Sequence, residues 1–283
     1  MWTITKPDIA ALETFDICIE GIRNPALKAR LEGIRQQIED ADADFDIKGL
    51  AGQLYMIAQS ADVIGVGGAV TADEMVNLYK RHMSRQKSRG RTIYDKIMAA
   101  AAYGQCPFCG HLPVSTLDHF HGKAEYPVLA VTPVNLIPCC KDCNDYKGTA
   151  AALTPETQFL NAYYDDLTED RWLYAQIIHG SPPGAIFSVI PPAHWGAVTT
   201  QRVARHFREL NLAKLYSSQS SRQLQNIRSS LSKNYAAGGA AAVQADLLER
   251  SDSCNVVAIN SWEGALFEAA ANDGWYCGGG FDA

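Results

Sequence analysis

Two C-x-x-C pairs, Cys106/Cys109 and Cys140/Cys143, stand thirty residues apart and limit what this chain can fold into. Two residues between cysteines let both thiolates of a tight knuckle face one point, and two knuckles make the tetrahedral four-sulfur set that zinc prefers. Pro107 and Gly110 supply turn chemistry to the first knuckle. A closed four-sulfur site leaves no position for substrate, so this zinc is expected to be structural. The thirty intervening residues exceed what a compact zinc ribbon needs, so they should house something. Cys139 falls one residue outside the frame and is expected to be buried, not liganded. Cys18, Cys254 and Cys277 have no partner spacing and read as free thiols. With four of eight cysteines in metal spacing, a reducing, cytoplasmic compartment is expected.

Within the insert, Val114–Phe120 is β-branched and apolar enough for a strand carrying Asp118 and His119 at its end. Lys141–Gly148 is polar and reads as a short helix bearing Asn144 and Lys147. Neighbouring side chains on a strand point to opposite faces. If Asp118 and His119 serve one reaction, the strand must therefore end or twist there, or the two must grip its centre from different sides. A carboxylate oxygen and an amide oxygen, from Asp118 and Asn144, suit Mg²⁺ or Mn²⁺. A neutral imidazole beside them can take a proton from water. Metal and base are the minimum for hydrolysing a phosphodiester. His111 and His121 read as solvated loop histidines.

Residues 106–148 resemble the ββα-metal core of the HNH (His-Me finger) endonucleases in its zinc-stapled form. The resemblance implies that His119 is the general base and Asp118 a ligand of the catalytic metal. It implies that Asn135 tethers the loop and holds the histidine. Asn144 takes the third position, where many members have His, and Lys147 matches a lysine often found one helical turn later, near phosphate. Gly122 departs from the pattern, since related sequences often have Pro there before the lysine at 123. Stand-alone bacterial HNH proteins of this kind are similar to nuclease effectors of antiphage systems, which implies an ATPase partner.

Net charge is −6, which by itself argues against a nucleic-acid partner, but its distribution argues the other way. Residues 80–104 hold 7 basic groups against 1 acidic, just before the first knuckle. Phosphate binding depends on local charge. Lys80, Arg81, Arg85, Lys87, Arg89 and Arg91, with Lys123, are therefore the expected nucleic-acid contacts, DNA more than RNA. A second basic run follows at 202–233, with 7 basic groups against Glu209. No apolar run approaches the roughly 20 residues that span a bilayer, so no membrane partner is expected. The N-terminus lacks the basic-then-apolar pattern of a signal peptide.

Along the chain, a short element is expected over 8–20, one helix from Pro25 to about 43 and another over 47–61. The Gly65–Gly68 run reads as a linker. Thr71 and Glu74 form a capping box for a following helix, and residues 93–103 read as a helix entering the first knuckle. Residues 172–178 and 185–190 read as paired strands. Thr199 is expected to cap a helix bearing Arg202, Arg205 and Arg208. Further helices are expected over 240–250 and 261–271, with a loose tail from 274. The expected fold class is α+β, mainly helical. It has a ββα-metal core stapled by zinc over 93–150, a helical region over 1–92 with its basic segment at 80–91, and a C-terminal extension over 151–283. The expected function is metal-dependent phosphodiester hydrolysis. The same residues also allow a zinc-dependent module that binds nucleic acid or a partner without cleaving.

Overall fold

Helical spacing of apolar residues writes the first part of the chain, seen in a computed structural model that describes residues 2–149 and 151–283. Helix α1 (Ala11–Ile19) buries Ala11, Phe15, Cys18 and Ile19. Helix α2 (Pro25–Glu32) starts on Pro25, and the Asn24 side chain accepts from the free N–H groups of Ala26 and Leu27. The single helix expected from Pro25 is broken at Gly33, whose carbonyl accepts from the Val66 N–H at 3.1 Å. Helix α3 (Arg35–Leu50) then runs through the boundary expected near 47. The helix expected over 47–61 does not form. Gly52 turns the chain at φ 68, a conformation open to glycine at little cost, and only a 3₁₀ turn at Leu54–Met56 follows.

Strands β1 (Asp62–Gly65) and β2 (Gly68–Thr71) pair antiparallel with Val63 opposite Val70. The glycine run expected as a linker is the turn of this hairpin. Helix α4 (Ala72–Leu78) opens on the Thr71–Glu74 capping box. It passes into a π turn at Tyr79–Met83, closed by the Ser84 N–H on the Tyr79 carbonyl at 2.9 Å. Helix α5 (Arg91–Ala99) leads toward the first knuckle. Strands β3 (Thr116–His119) and β4 (Leu136–Cys139) pair antiparallel, with Asp118 opposite Ile137 and His119 opposite Leu136. Helix α6 (Lys141–Lys147) follows directly.

These elements lie in one compact unit, Thr3–Asp165. The N-terminal helices and the cysteine-bounded segment share its core: Phe15, Ile38, Met75, Leu78 and Ile97 form one buried cluster with Leu117 of β3 and Leu136 of β4. Each such side chain contributes about 1.5–3 kcal/mol on burial. The strand that carries Asp118 and His119 is thus seated on helices.

Asp166–Ala283, with Trp2, forms a second unit. Strands β5 (Leu173–Ile178) and β6 (Gly184–Val189) pair antiparallel. Helix α7 (Ala197–Glu209) starts after Gly196, not at Thr199, and buries Arg202. Helix α8 (Leu212–Val257) breaks at Gly238 and Gly239, the latter at φ 63, so its second half begins where a separate helix was expected. The hairpin packs against α8 and against α9 (Trp262–Ala271). The tail expected to be loose is instead ordered: α10 (Gly274–Cys277) is capped by Asp273, and Tyr276, Cys277 and Phe281 are buried. Its aromatic residues find a core despite the surrounding glycines. The protein is α+β and mainly helical, with three two-stranded sheets among the described residues. Among those residues no helix is long and apolar enough to cross a membrane.

Candidate functional site

The cysteine spacing resolves into two knuckles. In the first, the Cys106 N–H donates to Leu112 O at 2.8 Å and the Gly110 N–H to Cys106 O at 2.7 Å. The Leu112 N–H reaches Cys109 Sγ at 3.4 Å. In the second, Cys140 caps α6 and its Sγ accepts from the Cys143 N–H at 3.4 Å. The four sulfurs lie within 4.8 Å of one another and are buried. Zinc–sulfur bonds of roughly 2.3 Å place tetrahedral sulfurs roughly 3.8 Å apart, so the donor set fits a metal such as zinc. Burial pushes the Cys106 thiol up, while hydrogen bonds from Cys106 and Cys140 pull Cys109 down. A buried cluster needs a cation to give up all its protons. Cys139 is buried outside this set, and Cys18, Cys254 and Cys277 are free thiols.

An open cleft of ≈ 510 Å³ is lined by Asp118, His119 and Asn144, together with Tyr79, Lys80 and Lys123. Strand β3 supplies Asp118 and His119 at its last two positions, where it ends. Asn144 follows Cys143 on α6, so the second knuckle fixes where that helix begins. The π turn brings Tyr79 and Lys80 to the same cleft; such turns recur at functional sites because they shift a helix face by one residue.

His119 is buried, and its Nε2 lies 2.9 Å from Ala130 O. A carbonyl only accepts, so neutral His119 carries its proton on Nε2 and leaves the Nδ1 lone pair available. Burial, with help from Lys123, pushes its pKa down to about 3. Asn135 is fully buried and uses its whole amide: Oδ1 accepts from the His121 N–H at 2.8 Å, and Nδ2 donates to His121 O and Leu129 O. It ties the end of β3 to the loop that presents Ala130. The loop turns at Gly122, whose carbonyl accepts from the Glu125 and Tyr126 N–H groups.

Lys147 is buried at the end of β3. Its side chain is 5% exposed, and Nζ sits 3.0 Å from Asp118 Oδ2. The ammonium also donates to Asp118 Oδ1, His119 O and Phe120 O. It therefore clamps α6 to the end of β3. Burial pushes the Asp118 carboxyl up, and Lys147 pulls it back. Asp118 Oδ2 is shut from solvent and makes no hydrogen bond of good geometry, but the ammonium 3.0 Å away balances its charge. Removing one partner of a buried pair costs about 3–5 kcal/mol. Lys147→Met is expected to lose that much in urea unfolding, and unchanged stability would mean that the ammonium is not structural.

His121 also differs from its solvated expectation. It is buried, with Nε2 3.1 Å from Leu54 O and its ring against Tyr126. Burial lowers its pKa to about 4. An unfolded histidine titrates near 6.5, so the unfolded state binds more protons across the interval below that. Stability should fall as pH drops from about 6.5 to about 4, by on the order of 3 kcal/mol from this residue. His121→Gln should flatten that limb, measured by denaturant midpoints; an identical limb would contradict this. His111 is half-buried, and burial lowers its pKa.

The basic segment divides. Lys80 lines the cleft, and Arg81, Arg85 and Lys87 are exposed. Arg89 pairs with Glu20 at 2.7 Å. Arg91 pairs with Asp95, donates to Ser84 O and covers the Tyr94 ring. Lys123 is half-buried and its pKa is lowered by burial and then by Lys80. Two ammonium groups that disfavour each other beside an open cleft suit an anion. Tyr79, Thr116 and Glu125 also line it and were not singled out in the sequence; only the position of Tyr79 next to Lys80 could have flagged it.

The chain is 32% identical over 166 residues to protein ea31 of Escherichia phage lambda. The match covers 57% of this chain and 56% of that protein, so the chain spans a little over half the length of its relative. No family model matches the chain. No solved structure matches it either.

Proposed function

We propose that the chain is a metal-dependent endonuclease of the HNH kind, hydrolysing phosphodiester bonds of nucleic acid, with β3, β4 and α6 as its ββα-metal core. The observation that carries this reading is the convergence of Asp118, His119 and Asn144 on one open cleft that also holds Lys80 and Lys123. A carboxylate oxygen of Asp118 and the amide oxygen of Asn144, two residues that line this cleft, are the hard donors that Mg²⁺ or Mn²⁺ takes. When bound, such an ion supplies positive charge opposite the charge that develops on a phosphate under attack.

The chain's own residues do the rest. Ala130 holds the Nε2 proton of His119, so Nδ1 accepts the proton of a water whose oxygen attacks phosphorus. A new P–O bond forms while the bond to the leaving oxygen breaks. Lys147 keeps Asp118 charge-balanced in a buried setting. Lys80 and Lys123 attract the substrate backbone, and the four cysteines fix both ends of the segment.

Supercoiled plasmid incubated with purified protein and Mg²⁺ or Mn²⁺ should be nicked and then linearised, and EDTA should stop it. A folded protein that binds plasmid and nicks neither it nor a matched RNA with any divalent ion is a binding module instead. Substituting both Lys80 and Lys123 by Ala should weaken binding and flatten its salt dependence by about 0.9 of slope per lost phosphate contact. An unchanged slope would move the phosphate path out of the cleft.

A further inference from the structure

We infer that Tyr79 is a positioning residue for His119: its ring walls the imidazole so that Nδ1 is held toward the cleft. This rests on the reading of His119 as proton acceptor. The hydrogen bond to Ala130 anchors only Nε2. A ring held at that one atom still swings about the line from Cβ to Nε2, and the swing carries Nδ1 sideways. Tyr79 stands against it, with ring centroids 4.4 Å apart and planes at 76°. That edge-on geometry is attractive as well as blocking.

Tyr79 is itself held firmly. It is 7% exposed and belongs to the core cluster with Met75, Leu78 and Met83. The π turn that begins at Tyr79 sets its direction, and the capping box fixes the start of the preceding helix. The same ring carries Lys123, whose Nζ lies 5.5 Å from its centroid. One rigid side chain therefore spaces the proton acceptor from a phosphate-binding ammonium. Small displacements matter here, since misplacing a reacting group by about 1 Å can cost on the order of 100-fold in rate.

The test uses Tyr79→Leu, which removes the ring, and Tyr79→Phe, which keeps it. Single-turnover cleavage of a labelled duplex oligonucleotide in Mn²⁺ is read beside equilibrium binding of the same duplex in EDTA. Tyr79→Leu should cleave about 10- to 100-fold more slowly, while affinity weakens only about two- to five-fold, the share of one cation–π contact. Tyr79→Phe should match the wild type in both. A Tyr79→Leu rate equal to wild type overturns the inference, and so does a Tyr79→Phe that falls with it. If Tyr79→Leu does not fold, Tyr79→Met fills similar volume and is read in the same way.

A second readout is independent of cleavage. NMR relaxation of the His119 ring should report added motion in the Leu variant and none in the Phe variant. Unchanged ring motion in the Leu variant overturns the positioning role even if the wild type cleaves. Added ring motion in the Leu variant, with a wild type that cleaves nothing, overturns the nuclease reading instead.

Discussion

Cys140→Ser is expected to unfold the unit that contains the cleft. Cys140 is both a member of the four-sulfur set and the cap of α6. A structural zinc site contributes about 10 kcal/mol or more, comparable with the whole stability of a domain, about 5–15 kcal/mol. Loss of one thiolate therefore outweighs any surface substitution. Elemental analysis should find one zinc per wild-type chain. The variant should lose it, together with near-UV dichroism and cooperative melting. A folded, zinc-free wild type would remove this contribution and leave the segment held by its apolar core alone.

His119→Ala is expected to lower single-turnover cleavage by about 10²–10⁴-fold, the range for removing a general base, with zinc content and nucleic-acid affinity retained. Losing the imidazole also leaves Ala130 O without its donor, which costs about 1–3 kcal/mol. His119→Gln separates the two effects: an amide can donate to Ala130 but cannot accept a proton from water near neutral pH. Both variants should be inactive, and Gln the more stable. Because burial pushes the His119 pKa down to about 3, the imidazole of the folded protein is neutral near pH 7, and protonation of this residue should not switch the folded protein off until well below neutrality.

What could be read in the sequence was what depends on neighbours in the chain. Two residues between cysteines bring two sulfurs to one point whatever surrounds them, so the metal set of Cys106, Cys109, Cys140 and Cys143 was visible from spacing. The capping box at Thr71, the strand ending at His119 and the short helix after Cys140 are equally local. Residues whose place is decided by packing are not legible in this way. His121 looks like a loop histidine until Phe45 and Tyr126 close over it. That Lys147 pairs with Asp118 depends on where β3 ends, which no residue next to Lys147 in the chain announces. Tyr276 and Phe281 sit among glycines that suggested a loose tail, yet they meet a core. Helix α3 runs through an expected break because Phe45 and Gly49 are buried on its inner face. Tyr79 faces His119 because of a π turn, which no local sequence pattern marks.

Asp118, His119 and Asn144 are proposed as one metal-dependent hydrolytic centre. Cleavage of a single labelled duplex, titrated with Mn²⁺ across wild type, His119→Ala and Asn144→Ala, is the test of that proposal. Asn144→Ala loses a metal donor, so raised Mn²⁺ should recover part of its rate. His119→Ala loses the proton acceptor and should stay inactive at every concentration. If His119→Ala instead cleaves like the wild type while a folded His121→Gln does not, the base lies at the other histidine and the roles given to Asp118 and Asn144 fall with it.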